Sequence, residues 1–137
     1  MSYLLDTDSI SQTSKVRPAG GVLGWLGTVS HESVFLSVIT LAEVRRGIQL
    51  LPQGKRREAL DEWLLNDVAD AYRGRILPVT EAIADLAGRV GAAAKQNGYT
   101  VELSDVLIAA TARVHGLTLA TLNRKHFERL GVNLVTF

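Results

Sequence analysis

A chain of 137 residues with 47% hydrophobic and 21% charged side chains has the balance of one globular domain, with no room for two. The 15 Lys and Arg against 14 Asp and Glu leave a net charge of +1, which excludes a polybasic arm or acidic tail but not a local patch. The absence of Cys excludes disulfides, thiol nucleophiles, thiolate zinc sites and iron–sulfur clusters, and is compatible with a reducing compartment.

Tyr3-Leu4-Leu5 reads as a short buried strand that runs into the polar turn Asp6-Thr7-Asp8-Ser9, where Ser9 is placed to cap a short helix. No basic region precedes Asp6, so the N-terminus does not read as a signal peptide. No run approaches the ~18 apolar residues of a membrane span. A soluble cytoplasmic protein is the expectation. Pro18 to Gly21 punctuates a loop, and Val22, Leu23, Trp25, Leu26 and Val29 predict a short amphipathic helix. Val34 to Val38 has the β-branched and aromatic content of an interior strand. Thr40 is placed to cap the next helix, Leu41 to Leu51, which Pro52 and Gly54 end.

Leu60, Trp63, Leu64, Val68, Ala71 and Tyr72 share one face of a longer helix. Arg75 to Val79 predicts a strand whose proline favours an edge. Ile83, Leu86, Ala87, Val90 and Ala94 stripe another helix that Asn97-Gly98 stops. Ser104 is placed as cap of a helix beginning at Asp105, with the almost wholly apolar body Val106 to Ala112. Leu117 to Thr121 and Val132 to Phe137 complete the strands. Alternating strands and helices predict an α/β fold with a mainly parallel sheet.

The polar residues at element ends carry the chemistry. Asp6 follows the first strand, Glu43 lies in the first turn of a post-strand helix, Asp105 opens the apolar helix, and Asn123 follows another strand. In an open parallel sheet, strand ends and the following helix starts share one edge, where ligands bind. Carboxylates gathered there repel one another, and a hard divalent cation relieves the repulsion. Glu43 and Asp105 also have a plain alternative, since first-turn acids are common as caps and as partners of the helix dipole, whereas a charge directly after a buried strand, as at Asp6, more often marks a site.

The local words are more specific. Leu4-Leu5-Asp6-Thr7-Asp8-Ser9 resembles the opening of PIN-domain ribonucleases. Ser37 to Ile48 around Glu43, Ser104 to Ala112 around Asp105, and Leu119 to Phe127 around Asn123 resemble their later motifs, in the same order. Within that superfamily the chain is most similar to VapC toxins of type II toxin–antitoxin modules, including FitB-like relatives. The resemblance implies a three-layer α/β/α domain over residues 1–137 with an acidic site, dependent on Mg²⁺ or Mn²⁺, that hydrolyses RNA phosphodiesters. It implies Asp6, Glu43 and Asp105 as metal ligands, with Asn123 at the position of a fourth acid. It also implies a homodimer and a VapB-like antitoxin partner. Asp8 stands where Asn is usual.

Around these positions, Thr7, Thr40, Ser104, Thr121 and Asp8 are candidates to support the ligands by hydrogen bonds, or else to cap and turn the chain. Arg45, Arg46, Arg124 and Lys125 flank the motifs and are candidates for RNA phosphate contacts. Lys55-Arg56-Arg57 reads first as a solvated helix start. Trp25 and Trp63 read as core or dimer contacts rather than stacking platforms. No two of His31, His115 and His126 have metal-ligand spacing; His126, near the last motif, is placed either to touch substrate or to start a helix, and the helix start is the first reading. Two alternatives stand beside the ribonuclease. Asp6-Thr7-Asp8 also fits a HAD-like phosphatase with Asp6 as nucleophile. Asn123 also fits an inactive PIN-like module that only binds RNA or a partner.

Overall fold

The computed structural model describes residues 1–137. Five strands form one sheet in the order β3-β2-β1-β4-β5, with every pairing parallel. These are β1 (Tyr3–Leu5), β2 (Val34–Ser37), β3 (Ile76–Leu77), β4 (Thr118–Thr121) and β5 (Leu134–Thr136). The chain lays down β1, β2 and β3 toward one edge, then returns to place β4 on the other side of β1. That reversal between β1 and β4 opens a crevice at the carboxyl ends of the strands.

Both faces of the sheet are covered, because successive side chains of a strand point to opposite faces. Leu4 and Leu119 enter one core; their neighbours Leu5 and Ala120 enter the other. The first core is closed by α6 (Glu81–Gln96), α7 (Leu103–His115) and α8 (Arg124–Phe127). The second is closed by α1 (Thr7–Gln12), α2 (Val22–Leu26), α3 (Val38–Leu50) and α4 (Lys55–Glu62) with the helical turns after it. Fully burying a leucine such as Leu5 or Leu36 contributes about 1.5–3 kcal/mol. In α7, Ala109, Ala110 and Ala112 are fully buried and let the helix lie close to the sheet.

Several boundaries differ from the sequence expectation, each for a local reason. The strand expected over residues 75–79 narrows to Ile76–Leu77, since Pro78 has no N–H for the ladder; it does lie at the sheet edge. The helix expected from Leu41 begins at Val38, because Ser37 rather than Thr40 is its cap and accepts the Ile39 N–H at 3.0 Å. The helix expected from Asp105 begins at Leu103, with Glu102 at the cap position and Ser104 inside the first turn. The helix expected to run through Leu60 and Tyr72 is interrupted by a wider π turn, Trp63–Val68, before α5 (Ala69–Ala71). Leu64 and Val68 are buried across that turn, so the apolar stripe survives the change of pitch. Trp25 is half-buried against the second core, edge-on to Tyr3 and tilted against Phe137. No helix is long and apolar enough to cross a membrane.

Candidate active site

Asp6 leaves the end of β1 still tied to the sheet, its N–H bonded to the Ala120 carbonyl at 3.1 Å. It is extended (φ −77°, ψ 172°) just before the first helical residue, so its side chain reaches the α1 amides. Oδ1 accepts the Ser9 N–H at 3.0 Å, which makes Asp6 the cap of α1 and corrects the expectation that Ser9 was. Oδ2 accepts the Thr121 hydroxyl at 2.6 Å, across the crevice from β4. Burial raises the Asp6 carboxyl above the ordinary aspartate range, while the bonds from Ser9 and Thr121 pull it back.

Glu43 lies in the second turn of α3 rather than the first, because the helix already begins at Val38; it is half-buried, and its Oε1 accepts the Thr7 hydroxyl at 2.6 Å. Thr7 Oγ1 also lies 3.2 Å from the buried Thr40 hydroxyl. A hydroxyl has one proton, so with Thr7 donating to Glu43, Thr40 donates to Thr7. A short relay from α3 through α1 therefore fixes the glutamate. Thr40 does the work of orienting an acid, not of capping its helix.

Asp105, in the first turn of α7, completes the convergence. Asp6, Asp8, Glu43, Glu102 and Asp105 line one cavity of about 180 Å³ with Thr7 and His126. Burial pushes the Asp105 carboxyl from 3.8 up to about 6; the nearby His126 opposes this, and the charges of Glu43, Glu102 and Asp6 add to it. His126 Nδ1 stands 3.5 Å from Asp105 Oδ2, so His126 faces the acids from α8 as well as sitting near its start. Glu102 was not among the residues expected here. It lies in a stretch that reads as loop, and its only sequence signal is its place three residues before Asp105.

Asn123 has a different neighbour. Its amide donates to the Asp8 carboxylate, and its backbone N–H donates to Thr121 Oγ1 at 2.8 Å. The Asn123 side chain does not line the acid cavity. Arg45 is paired with Asp61 and bonded to Gln49, while Arg124 lies 3.8 Å from Glu128. Arg46 and Lys125 are exposed. None of these four cations lines the acid cavity.

The donor set suits a hard divalent cation: carboxylate oxygens, a partly buried setting, and an acid whose ionisation is opposed by like charge. The acids are spread around the cavity, and no three are drawn into a ready-made cage.

The PIN domain family profile matches residues 3–133. This chain belongs to the PIN domain family. It is 40% identical over 124 residues to Toxin FitB of Neisseria gonorrhoeae, covering 90% of this chain and 89% of that one. It is 38% identical over 136 residues to the VapC ribonuclease Y4jK of Sinorhizobium fredii, covering 96% and 94%. Among solved structures, that of FitAcB from Neisseria gonorrhoeae superposes with a TM-score of 0.89 at 37% identity, covering 98% of this chain and 96% of that one. The PIN membership displaces the HAD-like phosphatase.

Proposed function

We propose that this PIN domain is the toxin of a type II toxin–antitoxin pair, an endoribonuclease that requires Mg²⁺ or Mn²⁺ and is silenced by a VapB-like antitoxin. The observation that carries the reading is the convergence of Asp6, Glu43 and Asp105 on one cavity at the crevice between β1 and β4. The similarity to Toxin FitB and to a VapC ribonuclease supports it from the side of kinship. A homodimer belongs to the same reading.

In this reading Asp6, Glu43 and Asp105 hold the cation, with Glu102 beside them. A cation held there would lower the pKa of a coordinated water and offset charge developing on the phosphate. The chain's own residues do the positioning. Thr121 and the Ser9 N–H keep both Asp6 oxygens oriented, and the Thr40–Thr7 relay holds Glu43. His126 faces Asp105 across the cavity, its Nδ1 3.5 Å from the carboxylate. The inactive binding module is the second reading, favoured only by Asn123 in place of an acid; Glu102 supplies a carboxylate to the same cavity.

The test is cleavage of total RNA and purified tRNA by antitoxin-free protein, in Mg²⁺ or Mn²⁺ and in EDTA. Discrete metal-dependent fragments that disappear with Asp105→Ala are expected. RNA left intact in both metals by folded protein that binds it would move the assignment to the binding module.

A further inference from the structure

A second groove opens off the acid cavity. It measures about 770 Å³, runs between α1, α3 and α4, and shares Thr7, Asp8 and Glu43 with the acids. Lys15 and Arg56 stand in its walls, both exposed, and neither joins an ion pair. Half-buried Trp63 lines it too, at the start of the π turn. The remaining wall is largely apolar, with Val44, Ile48, Leu51 and Leu60.

We propose that this groove is the track along which single-stranded RNA reaches the acid cavity, with Lys15 and Arg56 on backbone phosphates and Trp63 beneath a base. The inference rests on the ribonuclease reading and adds to it where the strand lies. Five carboxylates around one cavity repel a polyanion, so cations outside the cavity but continuous with it must offset that repulsion. The flanking cations expected from the sequence do not meet this need: Arg45 is engaged by Asp61, and none of Arg45, Arg46, Arg124 and Lys125 lines either space. Lys15 and Arg56 are unpaired, and they share a groove with two of the acids. The groove as a whole is not positive, since Asp8 and Glu43 stand at its acid end; what suits a single strand is the pair of unpaired cations beyond them with an aromatic face between apolar walls.

The experiment measures binding of a fluorescent single-stranded oligoribonucleotide in EDTA, where hydrolysis is blocked, across a series of salt concentrations. Single strands release about 0.7 counterion per neutralised phosphate. The double variant Lys15→Ala/Arg56→Ala is therefore expected to flatten the slope of log affinity against log salt by about 1.4 and to bind at least tenfold more weakly at low salt. Its thermal midpoint should match wild type, because both side chains are exposed and unpaired. In Mg²⁺ the variant should raise KM more than it lowers kcat. Lys95→Ala, on the distant α6 face, should change nothing. Unchanged slope and affinity in the double variant, with wild type binding and cleaving, would overturn the track and assign the groove to a protein segment. Wild type that neither binds nor cleaves RNA would overturn the ribonuclease reading itself, and the track with it.

Discussion

Thr121 at the end of β4 donates its hydroxyl to Asp6 Oδ2 at the end of β1, a 2.6 Å bond between residues 115 positions apart. It joins the two strands that flank the crevice and fixes an acid that burial pushes toward neutrality. Thr121→Val keeps the shape and removes the donor. The Asp6 carboxyl should then rise further, and the fold should lose about 1–3 kcal/mol for an unsatisfied buried acceptor. Mn²⁺ affinity by calorimetry should fall about tenfold or more, as when an orienting partner of a metal ligand is lost. Thr121→Ser should restore it. Equal Mn²⁺ affinity in Thr121→Val and wild type would contradict this role.

Asp105 makes metal-free stability depend on pH in a definite direction. Its carboxyl is at about 6 in the folded protein and near 3.8 when freed from it. Between those values the folded state holds a proton that the unfolded chain has released, so stability falls as pH rises through the window. The full effect is at most about 3 kcal/mol, reduced by the water that reaches this partly open side chain. Urea midpoints in EDTA at pH 4.5 and pH 7 should therefore differ more for wild type than for Asp105→Asn, which cannot titrate. Glu102→Gln removes a like charge and should lower the Asp105 titration, visible by carboxyl carbon NMR. Parallel pH profiles for wild type and Asp105→Asn would refute the linkage.

The fourth acidic position leads to an ordering of effects. Asn123 is turned to Asp8, whereas Glu102 faces the cavity. Asn123→Ala breaks one bond at an exposed carboxylate and should change stability by about 0.5 kcal/mol or less. Its Mn²⁺ affinity and RNA cleavage should stay closer to wild type than those of Glu102→Gln, and far above those of Asp105→Ala. Calorimetry and initial cleavage rates on the three variants check the order. A loss with Asn123→Ala exceeding that with Glu102→Gln would return the fourth corner to Asn123.

The parallel sheet was legible because Tyr3-Leu4-Leu5, Val34 to Ser37 and Leu119 to Thr121 are short apolar runs bounded by polar turns. Asp6 stood out as a charge at the end of such a run, and Glu43 and Asp105 as charges at helix starts; all three line one cavity. What stayed hidden was set by tertiary contact. Ser37 and Thr40 are both plausible caps one turn apart, and only the burial of Thr40 against Thr7 decides between them. The π turn at Trp63–Val68 leaves Leu64 and Val68 on the buried side, so the apolar spacing does not betray it. Glu102 and His126 come from a loop and a four-residue helix, whose directions no periodicity encodes.

Arg45 supplies the remaining prediction, and it runs against what its position beside Glu43 suggested. Its guanidinium bonds the Asp61 carboxylate and Gln49, linking α3 to α4 on a part-exposed surface. An ion pair of that kind contributes about 0.2–1 kcal/mol. Arg45→Ala and Asp61→Ala should each cost about that much in urea unfolding, and the double variant should cost less than their sum. RNA cleavage by Arg45→Ala should keep kcat/KM within about twofold of wild type, since the side chain already has its partner and does not line the acid cavity. A tenfold loss of kcat/KM with unaltered stability would instead mean that Arg45 leaves Asp61 to meet the substrate, and additive unfolding costs in the double variant would say the same of the pair.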